Sequence, residues 1–172
     1  MRVAYAVSSL DLLLWWWHVD VHIGYCRQAA RTVAKRYGVR HPPVDVKAIA
    51  TAEGLRLVYA DIGSLDARLY RNGDGWVLEL NPAFAETAQR FSIAHEVGHL
   101  VLAHDGCGSQ PEHERAANVF AAELLMPLDL VRSALRETSR LGDLTQRFRV
   151  SKEAMLIKLD EQHLLLKLTS FE

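Results

Sequence analysis

The sequence predicts an α+β domain, and three observations lead there. Two helical apolar patterns come first, three short β-patterned runs follow, and from residue 84 the pattern is helical to the end. The chain has 172 residues, which suits one domain or one domain with a small appendage. Apolar residues make up 49% and charged residues 24%, the balance of an ordinary globular protein.

The elements follow in order. Tyr25–Tyr37 reads as a helix, with Ala29, Ala30, Val33 and Ala34 on one face and Gly38 as its stop. His41-Pro42-Pro43 breaks the chain, and Asp45 caps a short helix, Val46–Glu53, ending at Gly54. Leu55–Ala60 alternates and is rich in strand-forming residues. Ala67–Arg71 and Trp76–Leu80 flank Asn72-Gly73-Asp74-Gly75, whose residues tolerate the positive φ angles of a hairpin turn. A short three-stranded sheet, antiparallel or mixed, is therefore expected. Asn81-Pro82 ends the third strand, because proline cannot donate to a ladder. Helices are expected near 84–104, 112–125, 128–138, 142–148 and 151–163.

Twenty basic residues nearly cancel twenty-one acidic ones, so no overall positive field would draw the chain to nucleic acid or an anionic membrane. Cys26 and Cys107 form no C-x-x-C pair and read as reduced thiols of a cytoplasmic protein. The segment Leu10–Trp17 (LDLLLWWW) is too short to span a bilayer. No small-residue cleavage site follows it, which argues against a secretory signal. Residues 1–24 read as an N-terminal extension, either a docking arm or translation from upstream of the real start.

His95-Glu96-Val97-Gly98-His99 is an H-E-x-x-H segment within a helical pattern. Residues four apart on a helix lie one above the other, so both imidazoles reach one ion. Glu96 points about 100° around the axis and can act on a water as catalytic base without taking a ligand position. With 8 histidines and 11 glutamates in the chain, random placement yields roughly 0.02 such segments. Gly98 inside a helix costs about 1 kcal/mol relative to alanine unless close packing or a nearby ligand needs the space. Phe91, Ala94, Val97, Val101 and Leu102 form an apolar face that would seat the helix.

A catalytic zinc site needs a third protein ligand. Downstream candidates are His104, Cys107, Glu112, His113 and Glu114. His104 is rotated off the ligand face, where a cation near a helix C-terminus is the simpler reading. Pro111 restarts a helix, and Glu114 begins a face continuing through Asn118, Ala121, Ala122 and Leu125. A glutamate there would complete a His₂Glu set, and Asn118, one turn on, could hold a ligand histidine in place.

Arg90–His99 (RFSIAHEVGH) together with Glu114–Pro127 (ERAANVFAAELLMP) closely resembles the ImmA/IrrE family of metallo-endopeptidases. Pro42–Val46, the hairpin and Leu78–Asn81 (LELN) fit as well, so the resemblance covers roughly residues 27–160. It implies a small zincin-like metalloprotease domain, with Zn²⁺ held by His95, His99 and Glu114 and with Glu96 as general base. It also implies a protein substrate, a DNA-binding helix-turn-helix repressor, in stress response or the control of phage and mobile elements. Residues 25–127 would form the metallopeptidase core and 128–172 a C-terminal helical element packed on it. Tyr70, His104 and His113 are the candidates for a further oxyanion donor. The strand Trp76–Leu80 is a candidate for pairing with an extended substrate.

Leu144–Leu159 outlines two short helices joined at Val150, a helix-turn-helix shape carrying Arg147, Arg149, Lys152 and Lys158. Residues 128–172 hold similar numbers of basic and acidic residues, so a packing element is expected there over a DNA reader. The leading function is site-specific proteolysis. The alternative is a non-catalytic zinc-containing module that binds and sequesters a repressor, and direct DNA binding comes third.

Overall fold

The structure, a computed structural model, describes residues 9–73, 75–103 and 110–169, with side chains from residue 23 onward. Seven helices and one three-stranded sheet give the expected α+β architecture among the described residues.

Helix α1 spans Ser9–Arg36 and so begins well before the expected Tyr25. Residues 1–8 of the expected extension lie outside the described residues, as do the side chains of Trp15–Trp17. Cys26, Ala30, Val33 and Ala34 form the buried stripe at i, i+4, i+7 and i+8. These small side chains let α4 (Pro111–Leu125) pack closely along α1. Gly38, at φ +66°, turns the chain out of the helix, where an L side chain would be strained. Helix α2 (Val46–Ala52) starts at Asp45, whose Oδ1 accepts the Ala48 N–H at 3.1 Å, as the sequence expectation required.

Strands β1 (Leu55–Tyr59), β2 (Ala67–Asn72) and β3 (Gly75–Leu80) lie in the order β1-β3-β2. The β2–β3 hairpin is antiparallel, while β1 pairs parallel to β3, so the sheet is mixed. Alternation puts Leu55, Leu57, Leu69, Leu78 and Leu80 on one face, where they join the buried core. The opposite face carries Arg68, Tyr70 and Glu79, tied together because the carboxylate of Glu79 accepts from both neighbours. Both edges of β3 are used by partner strands, which removes Trp76–Leu80 as a strand for pairing with substrate. Among the described residues β1 and β2 each have one edge without a strand partner.

Buried Asn81 ends β3 and organises the next turn. Its Nδ2 donates to the Gly63 and Leu65 carbonyls, both at 3.0 Å, and its Oδ1 accepts from Ala83 N–H at 3.0 Å. Helix α3 (Glu86–Val101) therefore starts later than residue 84. It ends before residue 104, at the Leu102 cap, with Ala103 at φ +52°.

Helices α5 (Leu128–Glu137), α6 (Leu141–Phe148) and α7 (Lys152–Glu161) follow, then a 3-10 turn at Leu165–Lys167. Val131, Leu141, Leu144, Phe148, Met155 and Leu159 enter the same buried cluster as Ile93 and Phe120. Ser151 caps α7 through the Ala154 N–H at 3.1 Å.

Two buried charges bind this part of the chain to the helices that carry the H-E-x-x-H segment and Glu114. Arg90 on α3 donates to the Arg149 carbonyl between α6 and α7 at 3.2 Å, and to the Val44 carbonyl at 2.8 Å. Lys158 on α7 donates to Glu123 on α4, and both side chains are 1% exposed. Arg31 on α1 reaches the other oxygen of Glu123 at 2.7 Å. Burial alone pushes the Glu123 carboxyl up, but Lys158 and then Arg31 outweigh it and hold it below its ordinary value. Arg147 pairs with Glu137 and Arg149 with Glu86. Of the four basic residues of the helix-turn-helix outline, Lys158 is buried in an ion pair, while Arg147 and Arg149 form exposed ion pairs within the chain. No helix among the described residues is long and apolar enough to cross a membrane.

Candidate metal centre

The candidate site lies where α3 crosses α4. His95 and His99 sit one turn apart on α3, and Glu114 faces them from the first turn of α4. Their Nε2 atoms are 2.9 Å apart. The Glu114 carboxylate reaches both, with Oε2 3.2 Å from His95 Nε2 and Oε1 3.5 Å from His99 Nε2. Among the described residues, these three offer ligand atoms that all lie within 4.8 Å of one another. Their side chains are 15%, 17% and 44% exposed, so the cluster opens to the surface on the Glu114 side.

The close approach of the two helices has a local cause. A Cβ on Gly98 would lie 3.1 Å from Phe120 Cδ1 and 3.3 Å from both the Cα and the carbonyl oxygen of Ala117. Glycine at that position lets the α4 backbone come against α3, and that contact carries Glu114 to the histidines. Of the two reasons the sequence offered for Gly98, close packing or a nearby ligand, the structure shows close packing.

The donor set fits a divalent cation. His95 Nδ1 lies 2.9 Å from Asn118 Oδ1, within hydrogen-bond distance, which leaves His95 Nε2 as the ring nitrogen that faces the cluster. Two imidazole nitrogens and a carboxylate thus converge on one point, the donor set of a His₂Glu site. Two nitrogens bound to tetrahedral zinc at the usual bond length stand about 3.3 Å apart, only a few tenths beyond the spacing here.

Glu96 sits beside this cluster, half-buried, and its carboxyl is pushed up to about 7. Burial is the first cause, and the charges of Glu114 and Asp66 follow. A carboxyl poised there suits general-base work near neutral pH. Asp66 is a residue that sequence reasoning missed. It precedes β2 and accepts from the Ser92 hydroxyl of α3 at 2.7 Å, which sets its charge near Glu96. Nothing local in its sequence separates it from an ordinary turn aspartate.

The remaining sequence candidates are placed as follows. Glu112 is exposed and His113 half-buried in the first turn of α4, and neither belongs to the three-residue cluster. Tyr70 donates its hydroxyl to Glu79 at 3.0 Å, on the sheet face opposite Leu69 and Leu78. His104 and Cys107 lie outside the described residues.

Residues 50–160 match the family described as the IrrE N-terminal-like domain, a peptidase family. The chain belongs to that family. The radiation response metalloprotease IrrE of Deinococcus radiodurans is 30% identical over 149 residues, covering 77% of this chain and 45% of that protein. The protein of the same name from Deinococcus deserti is 29% identical over 149 residues, covering 77% and 52%. The chain thus spans about half the length of these relatives. Among solved structures, a Mycobacterium tuberculosis transcriptional regulator superposes with a TM-score of 0.61 at 20% identity, covering 79% of this chain and 46% of that one. That last likeness is one of fold.

Proposed function

We propose that this chain is a cytoplasmic zinc-dependent endopeptidase that cuts a specific protein partner, a helix-turn-helix transcriptional repressor, in stress response or mobile-element control. The observation that carries the reading is the convergence of His95 Nε2, His99 Nε2 and the Glu114 carboxylate, with Glu96 on the next position of the same helix. His95, His99 and Glu114 would hold Zn²⁺, which supplies Lewis acidity toward a water and a peptide carbonyl. Glu96 takes the proton of the attacking water and returns it to the leaving amine. His95 is held for its role by Asn118.

Residues 25–127 form the peptidase core in this reading, with 128–172 packed against it. The burial of Lys158 against Glu123 supports a protein partner over nucleic acid. An extended substrate finds a strand edge at β2, beside Asp66 and α3.

The test is cleavage of candidate repressors by wild type and by Glu96→Gln, with zinc content measured on both. The reading expects cutting by wild type alone and equal zinc in the two proteins. Equal repressor binding and inactivation by both, with no cutting by either, would replace it with the sequestering module.

A further inference from the structure

The Asp66 side chain joins the free edge of β2 to the turn of α3 that carries Glu96. The Asp66 carbonyl accepts the Asn81 N–H at 2.9 Å, so residue 66 turns its backbone toward β3. In an antiparallel pair the next residue turns its backbone groups the other way, and the alternation continues along the strand. Ala67, Leu69 and Arg71 therefore present their backbone groups along the free edge. The first of these donors is already taken, because the Ala67 N–H donates to Asp66 Oδ1 at 2.9 Å. The other carboxylate oxygen, Oδ2, accepts the Ser92 hydroxyl at 2.7 Å. Ser92 lies one turn before Glu96 on the same face of α3.

We propose that Asp66 is a specificity-determining residue that selects a lysine or arginine beside the scissile bond of an extended protein substrate. This selection presupposes the proteolytic reading above and adds the side chain that the site prefers.

A strand added to β2 can bond the Ala67 carbonyl and both backbone groups of Leu69. At Asp66 it meets a carboxylate in place of a free N–H. The substrate backbone must leave the edge at that point, one helical turn from Glu96, and the side chain it carries there faces the carboxylate. Asp66 is exposed, and both groups that donate to it, a backbone amide and a hydroxyl, are neutral. Among the described residues no cation pairs with it. A carboxylate offers about four lone-pair sites, so two contacts leave room for an ammonium or guanidinium. Glu114 is committed to the metal in this reading and Glu96 to the attacking water. Asp66 is then the carboxylate that a substrate cation meets, and an acidic side chain at the same point is repelled.

Asparagine keeps the size of the side chain and an oxygen for the Ala67 N–H but removes the charge, which separates selection from support. The experiment uses the full chain with zinc added, as wild type, Asp66→Asn and Asp66→Lys. Each protein is given a synthetic library of eight-residue peptides with all residue types equally represented, and mass spectrometry reads the residues flanking each cut. In wild type, lysine or arginine should stand beside the cut about fivefold more often than in the library. Asp66→Asn should lose that enrichment, and Asp66→Lys should replace it with aspartate or glutamate. The ratio is taken within each protein, so a change in overall rate, which a purely structural role would cause, drops out. Absence of basic enrichment in wild type, or the same enrichment in Asp66→Asn, would overturn the assignment. If wild type cuts no peptide, the proteolytic reading falls by itself and binding decides the selection. A fluorescein-labelled peptide with arginine at its centre should then bind wild type about fivefold more tightly than its uncharged citrulline counterpart, with the difference lost in Asp66→Asn. Equal binding of the two peptides to wild type would overturn the assignment.

Discussion

Replacing Gly98 with alanine should both destabilise the protein and loosen its metal site. Two effects compete. Alanine in a helix interior is favoured over glycine by about 1 kcal/mol. Against this, the new Cβ would lie 3.1 Å from Phe120 Cδ1 and 3.3 Å from two backbone atoms of Ala117. Phe120 and Ala117 are both fully buried, and the Ala117 atoms belong to the α4 backbone, so α4 as a whole must give way. Overpacking of this kind costs about 1–3 kcal/mol. The net is a loss of about 0–2 kcal/mol, and each kcal/mol lowers Tm by about 2–4 °C in a chain of this length. The displacement also carries Glu114 and Asn118 away from His95, so zinc affinity should fall on the order of tenfold. Urea unfolding of the metal-free protein and chelator competition measure the two effects separately. A variant stabilised by the full helix-propensity gain, with zinc affinity unchanged, would refute the claim that this contact sets the site.

Three further predictions follow from buried polar groups. Lys158→Met leaves Glu123 held by Arg31 alone and should cost about 3 kcal/mol in urea unfolding, since a buried charge loses its partner. The Glu123 carboxyl is held below its ordinary 4.5, so its contribution is present above that value and lost as pH falls through the lower folded value. Glu123→Gln should therefore flatten the acid limb of stability, measured on metal-free protein from about pH 7 to about pH 3. Asn81→Ala removes three hydrogen bonds to Gly63, Leu65 and Ala83 and should cost about 2–4 kcal/mol, with faster amide exchange in residues 61–66.

Much of the site was legible because its chemistry depends on spacing along two helices. The i, i+4 histidines and the i, i+4 pair Glu114 and Asn118 each declare a face, and the structure brings those faces together. The cap at Asp45, the turn at Gly73 and the restart at Pro111 were local signals and appear as local structure. The parallel pairing of β1 with β3 was not legible, because it joins segments separated by a whole hairpin and leaves no mark on either. Lys158 read as a surface cation of a helix-turn-helix. Its partner Glu123 lies in a different helix, and no periodicity links the two. Tyr70 looked available until the register of β2 against β3 set it beside Glu79. The start of α1 at Ser9 was hidden by the unusual composition of residues 10–17, which lacks a helical stop or cap.

The central claim is tested most directly by the metal content of purified protein, wild type against Glu114→Ala, by elemental analysis. The account predicts about one zinc per wild-type chain, as expected for a single His₂Glu site, and its loss in the variant. Zinc retained undiminished in Glu114→Ala, or a folded wild type without stoichiometric metal, would contradict it.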